Sequence, residues 1–128
     1  MSRSLRGARS ALANWLVLAS GVVAALHLGK AAIATPMLQT DMGLSLAQAG
    51  WLTSVFAVLG LLGGAPAGAL AAVMGRRTAL LLGLAIMALS GIAGTLVPSF
   101  GTLLVFRLLE GLGFLLVIVA GPAILERL

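Results

Sequence analysis

Gly68-Ala-Leu70-Ala-Ala72-Val73-Met-Gly75-Arg76-Arg77-Thr78 interrupts two long apolar runs, and its reading decides the fold. Upstream, Gly50 to Val73 carries no charged side chain; downstream, Ala79 to Val97 carries none either. Each run has the roughly 20 residues that a helix needs to cross a hydrocarbon core of about 30 Å. A link of a few residues with glycine and two arginines leaves the second run no route except back across the membrane, so the two helices are antiparallel.

Working outward, two further apolar runs complete a four-span pattern at Trp15 to Pro36 and Leu103 to Leu125. The flanking junctions are Gln39 to Leu46 and Pro98 to Thr102. Ser45 stands three residues before Gln48, the spacing of a capping box that opens the second helix. The composition agrees: among 128 residues, 61% are hydrophobic and 9% charged, against roughly 25% charged in soluble domains. So few charges cannot clothe a soluble core. A soluble enzyme, a coiled coil and a nucleic-acid binder are therefore excluded as starting points. The formal charge of +5 does not reinstate nucleic acid, because the basic residues are dispersed and the chain contains no tyrosine for stacking. The absence of cysteine removes disulfides and thiolate metal sites.

Charge bias orients the four spans. Arg3, Arg6, Arg9, Arg76, Arg77 and Arg127 fall on one side and Asp41 on the other. The positive-inside rule then puts both termini in the cytoplasm, with residues 1–14 a basic cytoplasmic segment and the inner or plasma membrane as the expected location. Arg3 to Leu28 also fits a signal peptide, but three more spans and the matching orientation of Arg76 and Arg77 favour an uncleaved first helix. Small residues at fourfold spacing, Gly60-Gly64-Gly68-Ala72 and Gly21-Ala25-Gly29, predict close helix contacts. Pro66 is expected to bend the second helix.

Ionisable groups inside spans cost about 2.5–3.5 kcal/mol each on insertion scales, so each calls for a reason. Four stand here: His27 and Lys30 on one face of the first helix, Arg107 and Glu110 on one face of the fourth. Two explanations compete. In the structural one, Lys30 and Arg107 reach toward the outer headgroups, Arg107 pairs locally with Glu110, and His27 makes a local hydrogen bond. In the functional one, they face a water-filled cavity where Lys30 and Arg107 attract an anion and Glu110 exchanges a proton. No set of ligands is spaced for a metal, no catalytic motif occurs, and no cofactor is expected. Glu110 and Glu126 lie about 24 Å apart along one helix, too far for an acid/base pair.

The Gly68 to Thr78 stretch resembles the loop signature between helices two and three of the major facilitator superfamily. Gly68, Leu70, Gly75, Arg76, Arg77 and Thr78 match, while Ala72 and Val73 replace an acidic and a basic position. In the family the acid joins a charge network on the cytoplasmic side; this copy lacks that acid but keeps the turn and its arginine pair. Arg107-Leu-Leu-Glu110-Gly111-Leu-Gly113 is similar to the family's Arg-x-x-x-Gly-x-Gly motif, whose arginine is associated with the transport cavity and proton coupling. Gly111 and Gly113 are read as giving the arginine room to face inward. The stretch from Leu28 through Lys30, Pro36 and Gly43 to Ser45 also looks like the start of the cyanate- and nitrate-type branch, where a basic residue faces an anion.

The resemblance implies an all-α membrane fold in which these four helices form part of an N-terminal half. The complete architecture has twelve helices in two halves, with substrate near the midplane. The expected function is secondary active transport of a small anionic solute by alternating access, with or without coupled protons, and with the missing C-terminal helices and the lipid bilayer as partners. No nucleic acid is expected. Two alternatives stay open: a small four-helix multidrug exporter acting as a dimer, whose embedded first-helix glutamate this chain lacks, and a non-transporting membrane partner subunit. The chain length is read as a fragment of a longer transporter.

Overall fold

The computed structural model describes residues 2–96 and 99–127. Four helices follow one another: α1 Ser2–Met42, α2 Leu46–Met74, α3 Arg76–Gly94 and α4 Phe100–Leu125. Each is long and apolar enough to cross a membrane. All four expected spans are present, and α1, α2 and α4 overrun their apolar runs. Helix α3 starts three residues before Ala79 but ends at Gly94, short of the expected Val97, with Thr95 and Leu96 in a turn. Helix α1 passes straight through the basic N-terminal segment and through Pro36, which lies inside the helix and not at its end. A proline removes one helical hydrogen bond, which a membrane helix tolerates when neighbouring groups re-satisfy the backbone. Helix α1 continues for six residues beyond Pro36, and there the Thr40 hydroxyl donates to the carbonyls of Met37 at 2.9 Å and Pro36 at 3.3 Å. The helix stops only at Gly43, whose φ of 63° is the left-handed conformation that glycine adopts without strain.

Ser45 and Gln48 form the complete capping box that the sequence suggests, and α2 accordingly begins at Leu46. Helix α2 continues to Met74 with Pro66 inside it. A single residue, Gly75 at φ 91°, separates it from α3, a tighter turn than the expected junction of Met74 to Thr78, because Arg76, Arg77 and Thr78 already belong to α3. Ser99 caps α4: its hydroxyl accepts from the Thr102 amide at 3.4 Å and lies 2.8 Å from the Thr102 hydroxyl. That cap starts α4 three residues before the expected Leu103. Val97 and Pro98, part of the expected third span and third junction, lie outside the described residues.

Helix α4 is the centre of the bundle and touches all three others. Half of its apolar window (50%) is buried inside the chain, against 18% for α1 and 22% for α2. Its most extensive contact is with α3, where Gly83 and Gly113 bring the two backbones together. A Cβ on either would lie 2.6 Å from the other's carbonyl oxygen. Met87, Leu116, Val117 and Ala120 fill the core beside this crossing. On α2, Phe56 meets Phe114 of α4 edge to face at 5.8 Å, a favourable aromatic geometry.

The fourfold ladders do not make the close contacts expected of them. A Cβ at Gly21, Gly29, Gly60 or Gly64 would meet nothing within 4 Å, and only Gly68 has an ordinary contact, with Val119 at 3.7 Å. Fourfold spacing places residues on one face of a helix but does not say which face the neighbour takes. The glycines pressed most closely by neighbouring helices are Gly63, Gly83, Gly91, Gly111 and Gly113. Large side chains such as Leu46, Leu61 and Val73 are more than 80% exposed. Such a surface suits lipid and not water.

Candidate functional site

Helix α1 presents His27 and Lys30 to α4, and α4 presents Arg107 and Glu110 to α1 and α3. At their meeting point the Glu110 carboxylate is 2% exposed and uses both oxygens. Lys30 Nζ donates to Oε1 at 2.7 Å across the helix boundary. Arg107 Nη1 donates to Oε2 at 2.9 Å from the preceding turn of the same helix. His27 Nε2 stands 4.0 Å from Oε1, while its Nδ1 is 3.0 Å from the Val23 carbonyl. The sequence pairs Arg107 with Glu110, and that pair is present. The Lys30 bond spans 80 positions. No spacing rule reaches that far.

The two cations differ in setting. Arg107 is 6% exposed and faces inward, which removes the headgroup-reaching alternative for that residue. The Lys30 side chain keeps 41% exposure even with its ammonium on Glu110. The inward position of Arg107 does not come from Gly111 and Gly113 in the way expected. Gly111 makes room for the Leu59 side chain, and Gly113 for Gly83 and Met87. The motif glycines therefore seat neighbouring helices, and the nearest atoms to each belong to Leu59, Gly83 and Met87 and not to Arg107.

A cavity of about 380 Å³ opens beside the cluster, with Lys30, Arg107 and Glu110 in its wall together with Asp41, Ser90 and Gly91. A second space of about 360 Å³ lies beside His27, and Lys30 and Gly91 border both. Asp41, read from the sequence only as an outer-side charge, contributes to the larger cavity. With Lys30, Arg107, Glu110 and Asp41 all ionised the formal charges of its wall cancel, and neutralising Glu110 leaves one net positive charge. Ser90 and Gly91 carry no chemical signal in the sequence. A small residue on α3 becomes meaningful only once α1 and α4 are seen to close over it. Among the described residues no group of histidine, aspartate or glutamate is arranged to hold a metal.

The Gly68–Thr78 motif occupies the opposite end. Gly75 makes the turn, Gly68 packs on Val119, and Leu70 is half exposed. Arg76 Nη1 donates to the Ala123 carbonyl at 3.0 Å, placing a cation on the last turn of α4, where the helix dipole favours it. Arg77 is exposed.

Four helices long and apolar enough to cross a membrane, packed around a buried carboxylate, define an integral membrane protein. A family model described as Major Facilitator Superfamily matches residues 13–128, and the chain belongs to that family, whose members are transporters. No curated protein and no solved structure matches the chain.

Proposed function

We propose that these four helices serve a secondary active transporter that carries a small monovalent anion by alternating access and couples it to a proton at Glu110. The observation that carries the proposal is the double occupancy of the Glu110 carboxylate, Oε1 by Lys30 and Oε2 by Arg107. A carboxylate held this way fills the place of an anionic solute. When a solute anion takes Lys30 and Arg107, Glu110 loses both partners in a buried position. A buried unpaired carboxylate is far costlier than a neutral one, so a proton goes to Glu110. Anion and proton then enter together, and by linkage each strengthens the other's binding.

The proposal includes the location and assembly that the sequence suggests: the inner or plasma membrane, both termini cytoplasmic, and further helices facing the Lys30 side of the cavity. The residual exposure of Lys30 supports such a facing surface. A cyanate- or nitrate-type solute is the narrowest form of the proposal. The open glycines at 21, 60 and 64 lend some support to the partner-subunit alternative, since a second membrane protein could pack on them.

The test is a titration of the chain in lipid nanodiscs with sodium nitrate and sodium formate in weakly buffered medium. The expected result is saturable binding with proton uptake approaching one per anion, tighter at lower pH. Glu110→Gln should bind the anion without proton uptake and with no pH dependence. Absence of saturable binding of either anion would sink the anion reading, and binding without proton uptake would remove the coupling.

A further inference from the structure

Gly91 of α3 lies where three polar groups from two other helices converge. A Cβ built on it would stand 2.9 Å from Glu110 Oε1, 3.1 Å from Lys30 Nζ and 3.4 Å from His27 Nε2. Among the described glycines it alone has its missing side chain bounded by charged and titratable groups; Gly83 and Gly113 meet backbone, and Gly111 meets Leu59. We propose that Gly91 is the positioning residue of the α1–α4 ion pair: its lack of a side chain is what lets Lys30 reach Glu110, and any side chain there holds the pair open.

The atoms that crowd Gly91 decide which part of the structure gives way. At Gly83 the obstacle is the backbone oxygen of Gly113, so a substitution there must push the helices apart. At Gly91 the nearest obstacles are side-chain ends: Glu110 is held in place by Arg107, but the Lys30 side chain is 41% exposed and can swing aside. A methyl at 91 therefore leaves the bundle folded and displaces the lysine. Lys30 and Gly91 border both cavities beside the cluster, so a displaced Lys30 also changes what separates the two spaces. The geometry stands apart from the proposed transport cycle; only its consequence, an altered anion site, rests on that reading.

Lys30 is the only lysine in the chain, which makes the pair directly observable. The full chain, labelled with 15Nζ-lysine and 13Cδ-glutamate, is placed in phosphatidylcholine bilayers without added nitrate or formate. Rotational-echo dephasing between the two labels then reports the Lys30–Glu110 contact, because Glu126 lies near the other end of α4. Strong dephasing is expected in the wild-type chain, weakened dephasing in Gly91→Ala and none in Gly91→Val, with helix content by circular dichroism unchanged. Gly94→Ala, whose Cβ would meet Phe106 at an ordinary 3.6 Å, should keep the wild-type signal. If Gly91→Val does not fold, Gly91→Ala decides. Wild-type dephasing in a folded Gly91→Ala or Gly91→Val chain overturns the proposal, as does its absence from the wild-type chain. Failure of nitrate to bind would leave this result untouched and count only against the anion reading.

Discussion

The two charged regions of the molecule obey opposite rules. In the Lys30–Arg107–Glu110 cluster, each cation lies within 3 Å of a carboxylate oxygen, and Arg107 and Glu110 are almost fully buried. At the Gly75 turn, Arg76 rests on a backbone carbonyl, and neither it nor Arg77 pairs with a carboxylate among the described residues. Depth explains the difference. A charge surrounded by apolar helices needs an opposite charge because water cannot solvate it, whereas a charge at a helix end has headgroups, water and the helix dipole. Replacing the acid in the loop with Ala72 is therefore tolerable, and replacing Glu110 should not be.

The largest expected effect follows from that contrast. Glu110→Ala leaves the buried Arg107 without its carboxylate, and unpairing a buried charge costs about 3–5 kcal/mol. Unfolding of the chain in mixed micelles should show this loss, with Glu110→Gln milder because an amide can still accept from Arg107. Equal stability of Glu110→Ala and wild type would mean that Arg107 reaches water and that the cluster is not buried as described.

Next comes the packing that carries the cluster. Gly83→Val must separate α3 from α4, and overpacking of this kind costs about 1–3 kcal/mol. Gly60→Val, which meets open space, should leave the unfolding midpoint of the chain unchanged in the same assay. A larger effect at Gly60 than at Gly83 would reverse the assignment of contact glycines. Lys30→Met should cost less, ~1 kcal/mol or below, because the lysine side chain is 41% exposed and solvent screens part of the pair. It should nevertheless abolish nitrate and formate binding, so stability and binding separate at this residue.

The smallest effects belong to the loop. Arg76→Gln removes one bond to the end of α4, worth about 0.3–1 kcal/mol, and Arg77→Gln should not change stability measurably. Their joint effect belongs to topology. Replacing both with glutamine should raise the fraction of chains inserted with the turn outside, read by cysteine labelling at an introduced site beside Gly75.

How far the sequence reaches is visible in the same two regions. The turn at Gly75 and the Ser45–Gln48 cap were legible because they depend on residues a few positions apart. So were the four apolar spans and the Arg107–Glu110 pair, since helical spacing alone brings i and i+3 together. The Lys30–Glu110 bond was not legible, because the four residue types identify candidates but not which helices adjoin. The ladders at Gly21 and Gly60 fail for the same reason: periodicity defines a face, and only packing says what that face meets. Gly91 was silent because a glycine in a membrane helix has many uses, and the groups that give this one its role come from α1 and α4.

The central claim is that Glu110 occupies the anion's place on Lys30 and Arg107 and yields it when an anion arrives. The most direct measurement is the Lys30–Glu110 dephasing of the labelled wild-type chain in bilayers, recorded at fixed acidic pH with and without saturating nitrate. The account predicts strong dephasing without nitrate and its loss when nitrate binds. Full dephasing in the nitrate-bound chain would contradict it.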